Sequence, residues 1–303
     1  MSKNVLISGA SGFVGTHLTD LLCEKGCKVK KLTRSQHINA GDQFYWSPER
    51  GEIELEALED LDAVVHLAGE NIAGRWTDHK KAEIERSRVR GTKLLSESLA
   101  GLNKKPQVLI SASAVGYYGD RGDEILTEES ARGRGFLADV SVKWEDAAEA
   151  AKQAGIRVIN LRIGMVLGAD GGALGKMLLP FKLGIGGRIG GGNQYWSWIA
   201  IDDLVGIIYY LLSKEDLNGP VNAVAPNPVT NSEFTSTLGR VLGRPAILPL
   251  PAFAARGILG EMADEMMLSS TRVKPQKLLD SGYKFEYPEL KEALVSLLNT
   301  TDE

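Results

Sequence analysis

Three glycines near the start of the chain have the type and spacing to do chemistry. Gly9-Ala10-Ser11-Gly12-Phe13-Val14-Gly15 reads G-x-x-G-x-x-G and follows the apolar run 5–7. Between a strand and a helix, such glycines allow a tight turn and let backbone N–H groups approach a pyrophosphate, whose charge the helix N-terminus attracts. A dinucleotide-binding turn built from Gly9, Ser11, Gly12, Phe13, Val14 and Gly15 is therefore expected. The end of the second apolar run selects the dinucleotide. An acid roughly 20 residues beyond the glycines would accept from the adenosine ribose 2′-hydroxyl, whereas an arginine there pairs with a 2′-phosphate. The sequence at that place is Thr33-Arg34-Ser35, with no acid. These three residues are the expected phosphate pocket, so NADP (NADPH) is the expected cofactor and NAD the less favoured one.

The elements that must position this turn are legible as alternation. Apolar runs at 5–7, 29–32, 63–67, 108–110 and 158–161 are separated by segments of helical period, the pattern of repeated βαβ units. Val14, Leu18, Leu21 and Leu22 share one helical face, and Gly26 stands where a helix cap belongs. The expected fold is α/β, a Rossmann-type doubly wound, mostly parallel sheet with a smaller C-terminal substrate or cap lobe. The expected division is 1–225 for the dinucleotide-binding domain and 246–296 for a small helical domain. Residues 184–192 are too rich in glycine for a helix or an interior strand, and predict a substrate loop. Thr230-Asn231-Ser232-Glu233 reads as a capping box, and Pro288-Glu289-Leu290 opens a final amphipathic helix. Trp196 and Trp198 either stack on a ligand or anchor this region to the core.

Composition narrows the partners. The 303 residues, 43% of them hydrophobic, suffice for a large domain and a smaller one. A net charge of -4 with interleaved signs leaves no basic stripe for nucleic acid. No apolar run reaches the roughly 20 residues that cross a bilayer, and the N-terminus enters a strand without a signal-peptide core. A small-molecule substrate, no membrane and a cytoplasmic location are the expectations. Cys23 and Cys27 have no metal-ligating neighbours in sequence, so no metal site is expected, and both predict small apolar fillers. His66 predicts core filling of its strand.

Further landmarks follow in order: Asp62-Ala63-Val64-Val65-His66-Leu67-Ala68-Gly69, Ser87-Arg88-x-x-Gly91-Thr92 and Arg162-x-Gly164-x-Val166-Leu167-Gly168. With the three-residue spacing of the first two glycines, they resemble the extended short-chain dehydrogenase/reductases, the nucleotide-sugar epimerase class. Gly69-Glu70-Asn71-Ile72, Arg75-Trp76, Lys143-Trp144-Glu145, Met177-Leu178-Leu179-Pro180-Phe181, Trp198-Ile199-x-x-Asp202-Asp203-Leu204 and Leu248-Pro249-Leu250-Pro251 narrow this further. They resemble the atypical "epimerase family protein" subgroup, which ends in a small domain of unknown function. The resemblance spans nearly the whole chain. It implies that Leu67, Ala68 and Gly69 line the cofactor crevice, as the switch-point rule for such sheets also expects. It further implies that Glu83 and Arg88 reach the cofactor and that Val166 lies on the nicotinamide side.

The family's proton chemistry uses a Ser or Thr and a Tyr placed four residues before a Lys, which holds the nicotinamide ribose and lowers the phenol pKa. Lys143 answers to that lysine, on a helix expected to begin near Asp139. The residue four before it is Asp139, and an ordinary aspartate is ionised at neutral pH. Ser113 answers to the family's Ser or Thr, and Tyr118-Gly119 to its closing Tyr-Gly, with Tyr117 or Tyr118 as the substitute proton donor. Ser113, Tyr118 and Lys143 are thus the catalytic candidates. Two functions stay open. One is an NADP-dependent oxidoreductase or epimerase-like enzyme on a small polar, sugar-nucleotide-type substrate. The other is a non-catalytic NADP-binding redox sensor or scaffold, motivated by the missing tyrosine. The resemblance also allows a homodimer, although no helix singles out an interface.

Overall fold

Strands buried on both faces of a parallel sheet need apolar residues at consecutive positions, and the short runs of this chain supply them. The computed structural model describes residues 3–36 and 41–299. The chain runs through β1 (Asn4–Ser8), α1 (Phe13–Glu24), β2 (Lys28–Thr33), β3 (Gln43–Ser47), β4 (Glu52–Ile53), β5 (Ala63–His66), α2 (Asp78–Ala100), β6 (Val108–Ala114), β7 (Ile125–Leu126), α3 (Phe136–Asp146), α4 (Glu149–Gln153), β8 (Arg157–Ile163) and β9 (Met165–Leu167). It continues through α5 (Gly172–Lys182), β10 (Tyr195–Trp196), β11 (Trp198–Ala200), α6 (Ile201–Ser213), β12 (Gly219–Ala223), β13 (Val229–Thr230), α7 (Asn231–Val241), α8 (Ala252–Leu259), β14 (Arg272–Val273), α9 (Gln276–Asp280) and α10 (Leu290–Asn299).

The central sheet has the order β12-β8-β6-β5-β1-β2-β3-β4. Its neighbours are parallel except β3 and β4. The chain leaves β1 toward β2 and β3, then returns to build β5, β6, β8 and β12 on the other side, so the order reverses at β1. This is the expected Rossmann-type doubly wound sheet. Alternate residues feed opposite cores. Val5, Ile7, Val65 and Ile110 pack with Leu18 and Leu22 of α1 and Leu204, Ile207 and Ile208 of α6. Leu6, Val64 and Leu109 pack with Leu95 and Leu99 of α2 and Ala151 of α4.

Local signals set the helix ends. Gly26 takes φ +74 just beyond α1, and Thr230 and Glu233 close a reciprocal capping box on α7. α3 begins at Phe136, one turn before the expected start near Asp139. Cys23 is exposed on α1 rather than a filler, while Cys27 is half-buried against the core. Trp196 and Trp198 are anchors. Both are buried, and their ring N–H groups donate to the carbonyls of Met267 and Asn227. Residues 184–192 are strapped to the C-terminal segment: Arg188 O accepts from Leu250 N, and Gly190 N donates to Leu250 O.

One carboxylate staples the C-terminal helices to the sheet domain. Asp203, buried in the first turn of α6, accepts from Glu286 N at 2.8 Å and Tyr287 N at 2.9 Å. Burial pushes its pKa up against those two bonds. Asp203→Ala leaves both amides without this acceptor, at about 1–3 kcal/mol each. We expect a clearly lower urea midpoint, with the largest loss of hydrogen-exchange protection in the 283–299 segment; an unchanged midpoint would remove the staple role.

Candidate functional site

The turn between β1 and α1 is built around missing side chains. Gly9 has φ +77, and a Cβ there would lie 2.8 Å from Ala68 N and 2.9 Å from Leu67 C. A Cβ on Gly15 would lie 2.1 Å from Gly9 O. The turn after β1 and the turn after β5 therefore touch, backbone to backbone, at the point where the strand order reverses. Gly12 is the N-cap of α1 and offers no side-chain cap bond, so the first N–H groups of a twelve-residue helix face this crevice beside exposed Ser11 and Gly12. A cradle that any Cβ would fill, at an uncapped helix start, fits a dinucleotide pyrophosphate. The Phe13 ring sits in a pocket of glycines: Cβ atoms on Gly168 and Gly171 would lie 2.4 and 2.5 Å from it. Val14 is half-buried against the same core.

Around the cradle, Thr33 ends β2 and Arg34 and Ser35 follow it, with Arg34 exposed and near enough to Glu70 to help hold that carboxyl below its usual range, behind the larger effect of Lys80. Leu67 N donates to Ser8 O, and Ala68 N to Ser8 Oγ at 3.4 Å. The same hydroxyl lies 2.5 Å from Nδ1 of His66, which is fully buried and pushed down to about 4 by that burial, so the imidazole is neutral at pH 7. His66 is strand filling. Arg88 lies along Gly69, donates to the carbonyls of Glu70 and Ile84, and stacks 4.9 Å from the Trp144 ring; burial pushes it down to about 10. Glu83 is apart from it, one turn beyond His79 at 3.6 Å. Val166 pairs with Ile199 between β9 and β11.

Ser113, Tyr118 and Lys143 are not brought together as a triad. On α3, Asp139 and Lys143 lie on the outer face: Asp139 pairs with Arg132 at 2.7 Å, and Lys143, 54% exposed, pairs with Glu85 of α2 at 2.9 Å. The inward stripe is offset by two residues. It is Leu137, Ser141 and Glu145, one helical turn apart. Leu137 lies against Gly116, Ser141 is buried, and Glu145 accepts from Ser113 Oγ at 2.7 Å. On the stripe that carries Glu145 to Ser113, the residues one and two turns earlier are thus a hydroxyl and an aliphatic group.

Ser113 opens a buried polar chain. Arg162 of β8 donates from Nε and Nη2 to the two oxygens of Glu145, each at 2.8 Å, and from Nη1 to Tyr118 Oη at 3.0 Å. Tyr118 in turn donates to Asn222 Oδ1 at 2.7 Å, and Asn222 N donates to Glu128. Tyr118 is completely buried and pushed up to about 12, mainly by burial. Burial opposes the charge on Arg162, but its bonds to Glu145 outweigh that and raise its pKa. The guanidinium also stacks 3.4 Å from the Tyr117 ring. Glu145, Arg162 and Asn222 are the site residues the sequence did not single out for a role. Glu145 and Arg162 stand inside landmarks of the resemblance, and the physical signal for their pairing is the four-residue stripe of α3 and an arginine inside a strand that must be buried.

Two family models match the chain. That of the NAD dependent epimerase/dehydratase family covers residues 5–224, and that of a domain of unknown function covers residues 250–297. An epimerase family protein of Mycobacterium bovis is 42% identical over 291 residues, spanning 96% of each chain. The crystal structure of human epimerase family protein SDR39U1 with NADPH superposes with a TM-score of 0.90 at 36% identity, covering 98% of this chain and 99% of that one. A nucleoside-diphosphate sugar epimerase from Corynebacterium glutamicum has a TM-score of 0.82 and 38% identity, over 99% of this chain and 59% of that longer one.

Two of the ion pairs on α3, Glu145–Arg162 and Lys143–Glu85, differ in what they hold. Removing one member of a buried, bidentate pair costs about 3–5 kcal/mol, whereas an exposed pair contributes about 0–1 kcal/mol. Arg162→Met is expected to lower the urea midpoint strongly and Lys143→Met hardly at all. Equal effects in the two variants would refute this division of α3 into inner and outer faces.

Proposed function

The chain belongs to the NAD-dependent epimerase/dehydratase family, and from that premise we propose that it is an NADP-dependent oxidoreductase acting on a small polar carbonyl compound whose reduction needs no strong acid from the protein. The observation that carries this is the pair of inward positions on α3. The stripe that brings Glu145 to Ser113 carries Ser141 and Leu137 one and two turns earlier, so no phenol and ammonium stand four residues apart on that face. Epimerisation of a sugar alcohol needs a group that takes and returns the hydroxyl proton. An activated carbonyl, conjugated or flanked by an electron-withdrawing group, accepts hydride with far less demand for simultaneous protonation.

Bound NADPH would supply the hydride. The Gly9–Gly15 cradle and the start of α1 hold the pyrophosphate, with Ser11 beside it, and Thr33, Arg34 and Ser35 hold the 2′-phosphate. Leu67, Ala68, Gly69 and Arg88 form one wall of the crevice and Val166 the other. The Ser113 proton is committed to Glu145, so its oxygen acts as an acceptor that orients a substrate hydroxyl. Tyr118 fixes Arg162 from below, and Lys143 stays with Glu85 outside the reacting centre. A second reading is favoured by one feature: the chain Ser113–Glu145–Arg162–Tyr118–Asn222 closes on protein partners throughout, which suits a redox sensor that binds NADPH without turnover.

NADPH oxidation followed against a panel of conjugated and isolated carbonyls separates the two. Turnover of the activated members is expected, slowed roughly fivefold in Ser113→Ala, about one neutral hydrogen bond, and nearly unchanged in Lys143→Met. No turnover of any member by folded, NADPH-saturated protein would assign the sensor.

Cofactor choice is tested at Arg34. A charge-assisted contact of roughly 1.5–3 kcal/mol corresponds to about a 10- to 150-fold change in affinity. Arg34→Ala should lose that much for NADPH and spare NADH, and Arg34→Asp should reverse the preference, because its carboxylate repels the phosphate and accepts from a 2′-hydroxyl. Salt should weaken the wild-type preference at this exposed site. Equal wild-type affinities for the two dinucleotides at low salt would defeat the NADP assignment.

A further inference from the structure

Two stretches of the chain, 171–201 and 234–260, contain no aspartate or glutamate, yet they hold Lys176, Lys182, Arg188, Arg240, Arg244 and Arg256 in a chain of net charge -4. The fold joins them. Leu248 N donates to Gly186 O, Leu250 N to Arg188 O and Gly190 N to Leu250 O, so the loop after α5 and the segment leading into α8 form one backbone-bonded surface. All six cations are exposed. Arg256 pairs with Asp264 at 2.8 Å; among the described residues the other five form no ion pair.

The same two stretches carry seven of the thirteen large hydrophobic side chains exposed among the described residues. Leu179, Leu183 and Ile185 lie at the end of α5, Ile247 and Leu248 on the adjoining strap, and Phe253 and Ile258 on α8. Phe253 is 77% exposed and Ile247 76%, and α8 buries only Ala255. Clustered apolar side chains on a surface mark an interaction site. Within the two stretches they are interspersed with cations and accompanied by no acid, and Asp264 meets this surface as the partner of Arg256. Apolar side chains that enter the headgroup boundary, flanked by Lys and Arg that pair with lipid phosphates, are the chemistry of a helix or loop lying on an anionic bilayer. A second copy of this chain fits less well, since a two-fold contact sets each patch against itself and brings the five unpaired cations together.

We propose that the α5–α8 face docks peripherally on an anionic lipid surface. No helix among the described residues is long and apolar enough to cross a membrane, and the docking needs none. Leu179, Leu183, Phe253 and Ile258 insert, while Lys182, Arg188 and Arg244 hold phosphates.

Flotation of the full chain with phosphatidylcholine vesicles, with and without phosphatidylglycerol, tests this. Binding to the phosphatidylglycerol vesicles alone is expected, reversed by high salt. Lys182→Glu with Arg188→Glu should lower partitioning by more than roughly tenfold, given about fivefold for each cation lost. Phe253→Ser with Ile258→Ser should lower it as well; all four side chains are exposed, and circular dichroism checks that the variants stay folded. Three results would each overturn the proposal: no binding of the wild type to phosphatidylglycerol vesicles, equal binding to both vesicle types, or undiminished binding of both variants. Sedimentation velocity adds a fourth: a dimer that Phe253→Ser dissociates would make this face a contact between copies of the chain.

Discussion

The approach of two backbones at the head of the sheet is the constraint from which the site follows. β1 and β5 are neighbours whose chains leave in opposite directions, so their C-terminal turns share one small space. Gly9 meets Leu67 and Ala68 there at distances that admit no Cβ, and Gly15 must pass Gly9 O as α1 begins. Once those glycines are in place, the start of α1, the end of β2 and the wall after β5 are fixed around one crevice. The proposed cofactor residues then need little from their own side chains. Arg34 and Arg88 are the exceptions, because each brings a charge to a crevice otherwise lined by backbone and small residues.

A second constraint lies deeper on the same side of the sheet. A guanidinium buried in β8 must be paired or expelled, and the bidentate contact of Arg162 with Glu145 pairs it. That pairing sets the rotation of α3 about its own axis. With Glu145 turned toward β6, the residues one and two turns before it, Ser141 and Leu137, must also face inward, while Asp139 and Lys143 face out. Tyr118 is drawn into the same chain from the other side of Arg162. The arrangement rigidifies the floor of the site, and it engages Tyr118 and Glu145 with protein partners on both sides.

The strand runs, the glycine turn, the cap at Gly26 and the capping box at Thr230 were legible in the sequence because each depends on residues next to one another. The phase of α3 was not. A lysine four residues after a given position keeps its spacing on whichever face of a helix it lies, and the face is decided by Glu145 meeting Arg162, seventeen residues on and in another element. The resemblance groups Glu83 with Arg88, and five residues along α2 set it on another face, beside His79. Cys23 looked like a filler by type, yet its place on α1 lies off the stripe of Gly15, Leu18 and Leu22 that the sheet buries.

Net charge hid another feature for the same reason. A sum over the chain averages a strongly cationic region against an acidic remainder, and -4 then reads as interleaved signs. Residues 202–233 separate the two acid-free stretches, so no single window shows more than a few cations. Only the backbone bonds between Gly186, Arg188 and Gly190 and the strap at Leu248 and Leu250 add them into one surface. Those bonds begin in a loop too rich in glycine to form a helix or a sheet strand of its own, so its amides and carbonyls remain available for the strap. The glycines of 184–192 therefore do for this face what Gly9 and Gly15 do for the crevice: by carrying no side chain, they let two distant segments approach closely enough to act together.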